Sequence, residues 1–165
     1  MKNLYLKPEA RADLARANFM AGYGCAQAVL LTFADVTGLD DDTAARMASS
    51  FGGGMGRMRE VCGAVSGALM VLGIAEGYSE PKDTAAKSVH YARVREFADR
   101  FKEKCTQGGQ CGSIVCRDLL AGASLSNEAG GEAEARTAEY YEKRPCPELC
   151  AIAAAILQEM LTEQA

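Results

Sequence analysis

Seven cysteines in a chain of 165 residues, against one histidine and no tryptophan, define the chemistry to consider. In a reducing compartment structural disulfides gain little, so thiol enrichment points to redox exchange or metal ligation. Cys25 and Cys146 fall at expected helix starts, Cys146 directly before Pro147. Unsatisfied backbone N–H groups and the positive helix end favour thiolate there, lowering the pKa from about 8.5 toward the reactive range. Both are therefore candidate nucleophiles or ligands. Cys62 is expected inside the most buried helix, beside glycines that would let another segment bring a second sulfur near. Cys116 follows the Gly112 turn with Arg117 adjoining it as a stabilising cation, although neighbours in a helix point apart. Cys146 and Cys150 are four apart and able to share one face, while Cys105 and Cys111 have no assigned role. The competing reading for any one of these thiols is a small apolar side chain filling core beside a cap.

Other ligand patterns are incomplete. Cys111 and Cys116 form C-x4-C, part of a plant-type iron–sulfur spacing, but the C-x2-C that should follow is missing. Zinc of the Cys2His2 type needs paired histidines, and His90 stands alone on a charged helix surface, where it reads as a solvated side chain. The run Phe51-Gly52-Gly53-Gly54-Met55-Gly56 lacks the Gly-Lys-Ser/Thr ending of a phosphate loop and follows no strand, so it reads as a tight lead-in to a helix. Met55, Met58 and Met70 read as core filler, because no C-x-x-C-H haem attachment site is present.

The elements that must position the thiols are helical. Between Pro8 and Ala34 apolar residues recur at helical spacing, with Gly22 and Gly24 separating two helices, the second over about residues 23–36. Asp40-Asp41-Asp42 caps a short helix through Met47. Residues 58–75 are apolar almost all round, which predicts a central Gly/Ala-rich helix enclosed by others. Within it Gly63 and Gly67 leave one face bare, so a neighbouring backbone can approach closely. Thr84 to Lys104 is an amphipathic helix, a short helix spans about residues 113–120, and the last runs from Pro147 to about Leu161. The polar stretch from Gly122 to Gly131 is expected to be a loop. No period-2 strand is evident. The expected fold is all-α, a compact helical bundle forming one domain over residues 1–165.

Composition narrows the function classes. The net charge is −4, with Lys and Arg scattered among acidic residues, so no cationic stripe is available for nucleic acid. Charges at Lys2, Lys7, Arg11, Asp13 and Arg16 interrupt any apolar leader, so a cytoplasmic location is expected. The longest apolar stretch, Val61 to Ala75, falls short of the roughly 20 residues needed to span a bilayer. Membrane insertion is therefore not expected.

Gly24-Cys25-Ala26-Gln27-Ala28-Val29, then Phe51-Gly52-Gly53 leading to Cys62-Gly63-Ala64-Val65-Ser66-Gly67-Ala68, resemble the redox-active C_GCAxxG_C_C family. Gly112-Ser113-Ile114-Val115-Cys116-Arg117-Asp118-Leu119-Leu120 and Cys146-Pro147-Glu148-Leu149 extend the likeness over roughly residues 10–160. The resemblance implies a small helical bacterial or archaeal protein whose four characteristic cysteines fall on Cys25, Cys62, Cys116 and Cys146. It also implies an association with electron transfer, since some members are fused to electron-transfer proteins and others are encoded near transporters. Three readings follow. The four thiols form dithiol pairs for thiol–disulfide exchange or redox sensing with an unknown redox partner protein. Alternatively, all four hold an iron–sulfur cluster or zinc in an electron carrier. The third reading is a non-catalytic helical scaffold with inert core thiols, and a homodimer through the small-residue helix face is compatible with any of them.

Overall fold

The computed structural model describes residues 5–164, so Met1 to Leu4 of the segment read for a leader lie outside the described residues. Helix α1 (Pro8–Met20) opens on a proline, whose missing N–H has no partner to lose in a first turn. Gly22 and Gly24 then separate it from α2 (Cys25–Thr32), which Gly24 caps while its N–H donates to Gln27 Oε1 at 2.8 Å. The single helix expected to Val36 is interrupted at Phe33, where ψ turns to 27°, and resumes as α3 (Ala34–Thr37). Asp40 accepts the Thr43 N–H at 2.9 Å and starts α4 (Asp41–Ala48), as its acidic run predicts.

The glycine run leads through a 3-10 turn (Ser49–Phe51) into the short turn α5 (Gly52–Met55), whose Gly53 and Gly54 take left-handed backbone. Helix α6 (Gly63–Glu76) starts later than the apolar pattern predicts. Arg57 and Arg59 have φ of +67° and +60°, which interrupts helical geometry, and residues 59–62 run beside residues 114–117 instead. Val61 and Val115 form an isolated antiparallel bridge, and the Cys62 N–H donates to the Ile114 carbonyl at 2.7 Å. Cys62 consequently caps α6 rather than sitting within it. The chain continues through α7 (Thr84–Gln107), capped by Asp83, to α8 (Cys116–Gly122), which begins three residues after the expected start at Ser113. A short helix not expected from the sequence, α9 (Ala138–Lys143), precedes α10 (Cys146–Glu163).

The described residues contain no β-strand, and the fold is all-α. Helix α6 lies in the interior against α2, α7 and α10, and α10 in turn packs on α1, α2 and α7. The bare face expected of Gly63 and Gly67 is used: a Cβ at Gly67 would lie 2.5 Å from the Ala26 carbonyl oxygen, and one at Gly63 would lie 2.9 Å from Cys25 Cβ. Glycine here sets the distance between α6 and α2. Phe19, Phe33, Phe97, Phe101, Leu72 and Ile156 are buried between the helices, each contributing about 1.5–3 kcal/mol by leaving water. Buried Arg11 joins three helices, with two 2.8 Å contacts to Asp35, one of 2.6 Å to the Thr32 carbonyl and one of 2.8 Å to Gln158.

Two surface expectations differ. Met55 and Met58 are 40% and 52% exposed on the left-handed loop rather than core filler, because that loop projects from the bundle. His90 is half-buried with its ring edge-on to Tyr78, and its Nδ1 has no hydrogen-bond partner among the described residues. It is less solvated than the charged sequence around it implies. No helix among the described residues is long and apolar enough to cross a membrane.

Candidate functional site

All four cysteines singled out by sequence lie at helix N-termini: Cys25, Cys116 and Cys146 are the first residues of α2, α8 and α10, and Cys62 is the cap of α6. Those four ends meet. Cys25, Cys62, Cys116 and Cys146 line one cavity of about 340 Å³. The backbone ladder between residues 59–62 and 114–117 places Cys62 and Cys116 on adjoining segments, with the Cys116 N–H donating to the Glu60 carbonyl at 2.7 Å. The close approach of α2 to Gly63 brings Cys25 alongside. Cys146 arrives on α10, which follows the short α9.

The glycine turn forms the cavity floor. At Gly54 φ is +72°, and a Cβ would lie 2.7 Å from the Glu60 nitrogen and 2.8 Å from Cys116 Cβ, so any side chain would displace Cys116. Arg59 N–H and Glu60 N–H donate back to the Gly53 and Gly54 carbonyls at 3.2 and 3.0 Å, which holds the left-handed run in place. Four guanidinium groups, Arg57, Arg59, Arg136 and Arg144, stand around the wall with Glu134 and Tyr140.

The thiols are not equivalent. Thiols of Cys146 and Cys150 hydrogen-bond to the Cys25 sulfur and hold its pKa well below the ordinary thiol value against the opposing effect of burial, with the Arg136 charge and the Gly53 N–H adding to them. Cys146 moves the other way, well above its ordinary value, because it is the donor to Cys25 and is buried. The sequence places both at helix starts and expects both to be acidic. Two neighbouring buried sulfurs do not both ionise readily, so Cys25 is drawn toward thiolate while Cys146 is pushed toward the thiol. Cys150 is raised for the same two reasons, and its Sγ also lies 3.7 Å from the Cys25 carbonyl oxygen. Burial pushes Cys62 up, and the neighbouring Cys25 charge adds to it. Cys116 is raised by burial, with the hydrogen bond and charge of Arg59 opposing.

The cation beside Cys116 is therefore Arg59, with Nη1 3.9 Å from its Sγ, and not the adjacent Arg117, which points toward Glu60 and the Met58 carbonyl. Cys150, outside the sequence pattern, belongs to the thiol group after all. Its spacing of four from Cys146 on α10 was the available signal. Cys105 and Cys111 lie away from the cavity at the end of α7, where burial pushes Cys105 up to about 11. No disulfide joins any two of the seven cysteines among the described residues. Among the described residues no group of three or more His, Cys, Asp or Glu side chains is placed to hold a metal ion.

No curated protein matches the chain and no solved structure does. The family model described as "Putative redox-active protein (C_GCAxxG_C_C)" matches residues 23–160, a span that contains all four cavity cysteines and the Cys62-Gly63-Ala64-Val65-Ser66-Gly67 signature. The chain belongs to this C_GCAxxG_C_C family.

Proposed function

We propose that the protein carries out thiol–disulfide exchange or redox sensing, with Cys25 as the attacking thiolate and Cys146 as the resolving thiol. The observation that carries this reading is the meeting of Cys25, Cys62, Cys116 and Cys146 at one cavity, where Cys25 and Cys146 lie near enough to shift each other's ionisation in opposite directions. A nucleophile needs to be ionised and reachable, and a resolving thiol needs to be close enough to attack the mixed disulfide. Cys25 is half-buried at the cavity and held as thiolate, while Cys146 is buried behind it with its proton in place. As the mixed disulfide forms, Cys25 loses its negative charge, so the pressure that keeps Cys146 protonated falls. The charge passes along the pair in the order that exchange requires. Cys62 and Cys116, lining the same cavity, are a second pair for storing or relaying the two electrons.

Mass mapping after treatment of the reduced protein with one equivalent of a small disulfide tests the assignment. The expected product is a Cys25–Cys146 disulfide, and Cys146→Ser should instead accumulate the mixed disulfide on Cys25. Folded protein that takes up nothing at Cys25 at pH 7 would rule out exchange. Stoichiometric iron or zinc in anaerobically purified protein, lost on Cys25→Ser, would transfer the site to the metal reading.

A further inference from the structure

The charge on the cavity wall indicates what kind of disulfide it admits. Four arginines line the cavity against one acidic side chain, Glu134, in a chain whose net charge is −4. The local sign is opposite to that of the whole molecule. Arg144 is ion-paired with Glu134, and Arg57 lies 3.7 Å from the same carboxylate, so one anion serves two cations. Arg59 is 3% exposed and acts on the same Glu134 carboxylate only at a distance, with no ion pair between them. It donates instead to the Glu128 carbonyl at 3.2 Å and faces the Cys116 sulfur. Arg136 donates to the carbonyls of Phe19 at 3.3 Å and Tyr23 at 3.0 Å, with its guanidinium 4.2 Å from the centre of the Phe19 ring. Carbonyls and ring faces orient these two cations without cancelling their charge.

Contrast Arg11, equally buried at the far side of α1, whose charge is met directly by Asp35. Burying a cation without a counter-charge is unfavourable, and the fold supplies one where it uses arginine only as a strut. At the cavity Glu134 is shared among several arginines and Arg136 acts on the Cys25 sulfur, so the protein supplies fewer negative charges than positive ones there. Three helices of two turns or more, α2, α6 and α10, also begin at this wall, and their N-terminal dipoles add to the same field.

We propose that the cavity selects a small disulfide carrying carboxylate or other oxyanion groups, which the arginines hold while one of its sulfurs meets Cys25. The proposal rests on the exchange reading above. A volume of about 340 Å³ lies within the range of small-molecule sites, about 300–1,000 Å³, and suits a compound with short acidic arms. The Cys25 thiolate attacks one substrate sulfur, forming a Cys25–substrate disulfide and breaking the substrate S–S bond. The departing thiolate takes a proton from solvent. Cys146 then attacks the Cys25 sulfur, and its proton passes to the second substrate thiolate as that group leaves. The two cysteines end as a disulfide, and two electrons have passed to the substrate, now two thiols. Resetting the pair requires a dithiol reductant, which supplies two electrons and two protons.

Two alkylating agents of nearly equal size separate charge selection from redox chemistry: iodoacetate, an anion, and iodoacetamide, which is neutral. An ordinary thiolate repels the former. At Cys25 the expected rate with iodoacetate exceeds that with iodoacetamide by about tenfold at low salt, the scale of electrostatic focusing in a cleft. The preference should shrink severalfold in about 0.5 M sodium chloride. Arg59→Gln should reduce it most. Because Arg59 is buried, Arg57→Gln at the cavity rim provides a second reading that leaves the interior intact and should lower the preference about twofold to threefold. Equal rates, a faster reaction with iodoacetamide, or failure of both reagents to reach Cys25 overturns the proposal. Uncharged 2-hydroxyethyl disulfide, tested in parallel, reports on exchange alone. Mixed-disulfide formation with no charge preference removes the anion selection and leaves exchange standing. No exchange with any disulfide overturns both.

Discussion

Cys25 and Cys105 occupy opposite ends of their helices: Cys25 is the first residue of α2, whereas Cys105 lies in the last turn of α7. Cys25 is drawn well below its ordinary pKa by two thiol donors, a guanidinium and a backbone N–H, whereas burial pushes Cys105 up to about 11 with no cation to oppose it. The side chains are chemically identical. Their difference shows that cysteine content alone says little, and that helix polarity combined with donors from other helices decides which sulfur is a reagent. Cys146 refines the point. It too begins a helix, yet keeps its proton because Cys25 holds the shared charge.

The largest expected effect follows from removing the favoured member. Cys25→Ser should abolish fast thiol labelling of the native protein at pH 7, whereas Cys105→Ser should leave it unchanged. Labelling followed by peptide mapping checks both. Labelling of the wild-type protein across pH gives the next largest contrast. Thiolate reacts and thiol does not, so a lowered pKa means that the Cys25 rate levels off at lower pH than that of an ordinary thiol, while the Cys105 rate is still climbing as pH approaches its value of about 11. At pH 7 a thiol of pKa about 11 is ionised to about one part in ten thousand. Parallel pH profiles for the two would erase the comparison.

Gly63→Ala tests whether helix contact sets the acidity of Cys25. The added Cβ would lie 2.8 Å from the Phe51 carbonyl oxygen and 2.9 Å from Cys25 Cβ, and both neighbours are too constrained to move freely. Overpacking of this kind costs about 1–3 kcal/mol, more than the roughly 1 kcal/mol alanine gains over glycine in a helix. The variant should therefore unfold at lower denaturant, with the Cys25 labelling inflection moved upward as α2 shifts from α10. Unchanged stability would mean that the α2–α6 contact relaxes without strain.

Much of this geometry was legible in the sequence. Pro8, Asp40 and Pro147 mark helix starts because each acts on its own first turn, and the Gly63–Gly67 spacing announces a close helix contact. Cys25 and Cys146 at helix starts follow from the same local rules. What is not local was not legible. The run from Met58 reads as helix because apolar periodicity carries no sign of the positive φ at Arg57 and Arg59, which residues 114–117 and the glycine turn enforce from elsewhere. Arg59 meets Cys116 across 57 positions of chain, whereas Arg117 adjoins it in sequence and points away. Helix α9 is too short and charged to leave a periodic pattern.

The finest test concerns Cys150, which separates position from partnership. It lies one turn beyond Cys146 on α10, too far along to gain from the helix end, and it meets Cys25 through its thiol, which acts on the Cys25 sulfur and lies 3.7 Å from the Cys25 carbonyl oxygen. Cys150→Ala removes that donor and little volume, leaving Cys146, Arg136 and the Gly53 N–H in place. A hydrogen bond to a charged group is worth about 1.5–3 kcal/mol, and about 1.4 kcal/mol corresponds to one pH unit. The Cys25 inflection should therefore rise by about one pH unit, with Cys25 still the most acidic thiol and stability nearly unchanged. An inflection that stays put would assign its acidity to Cys146 and the helix end alone. A rise that brings Cys25 level with Cys105 would make the second donor, and not the end of α2, the source of the difference between the two thiols.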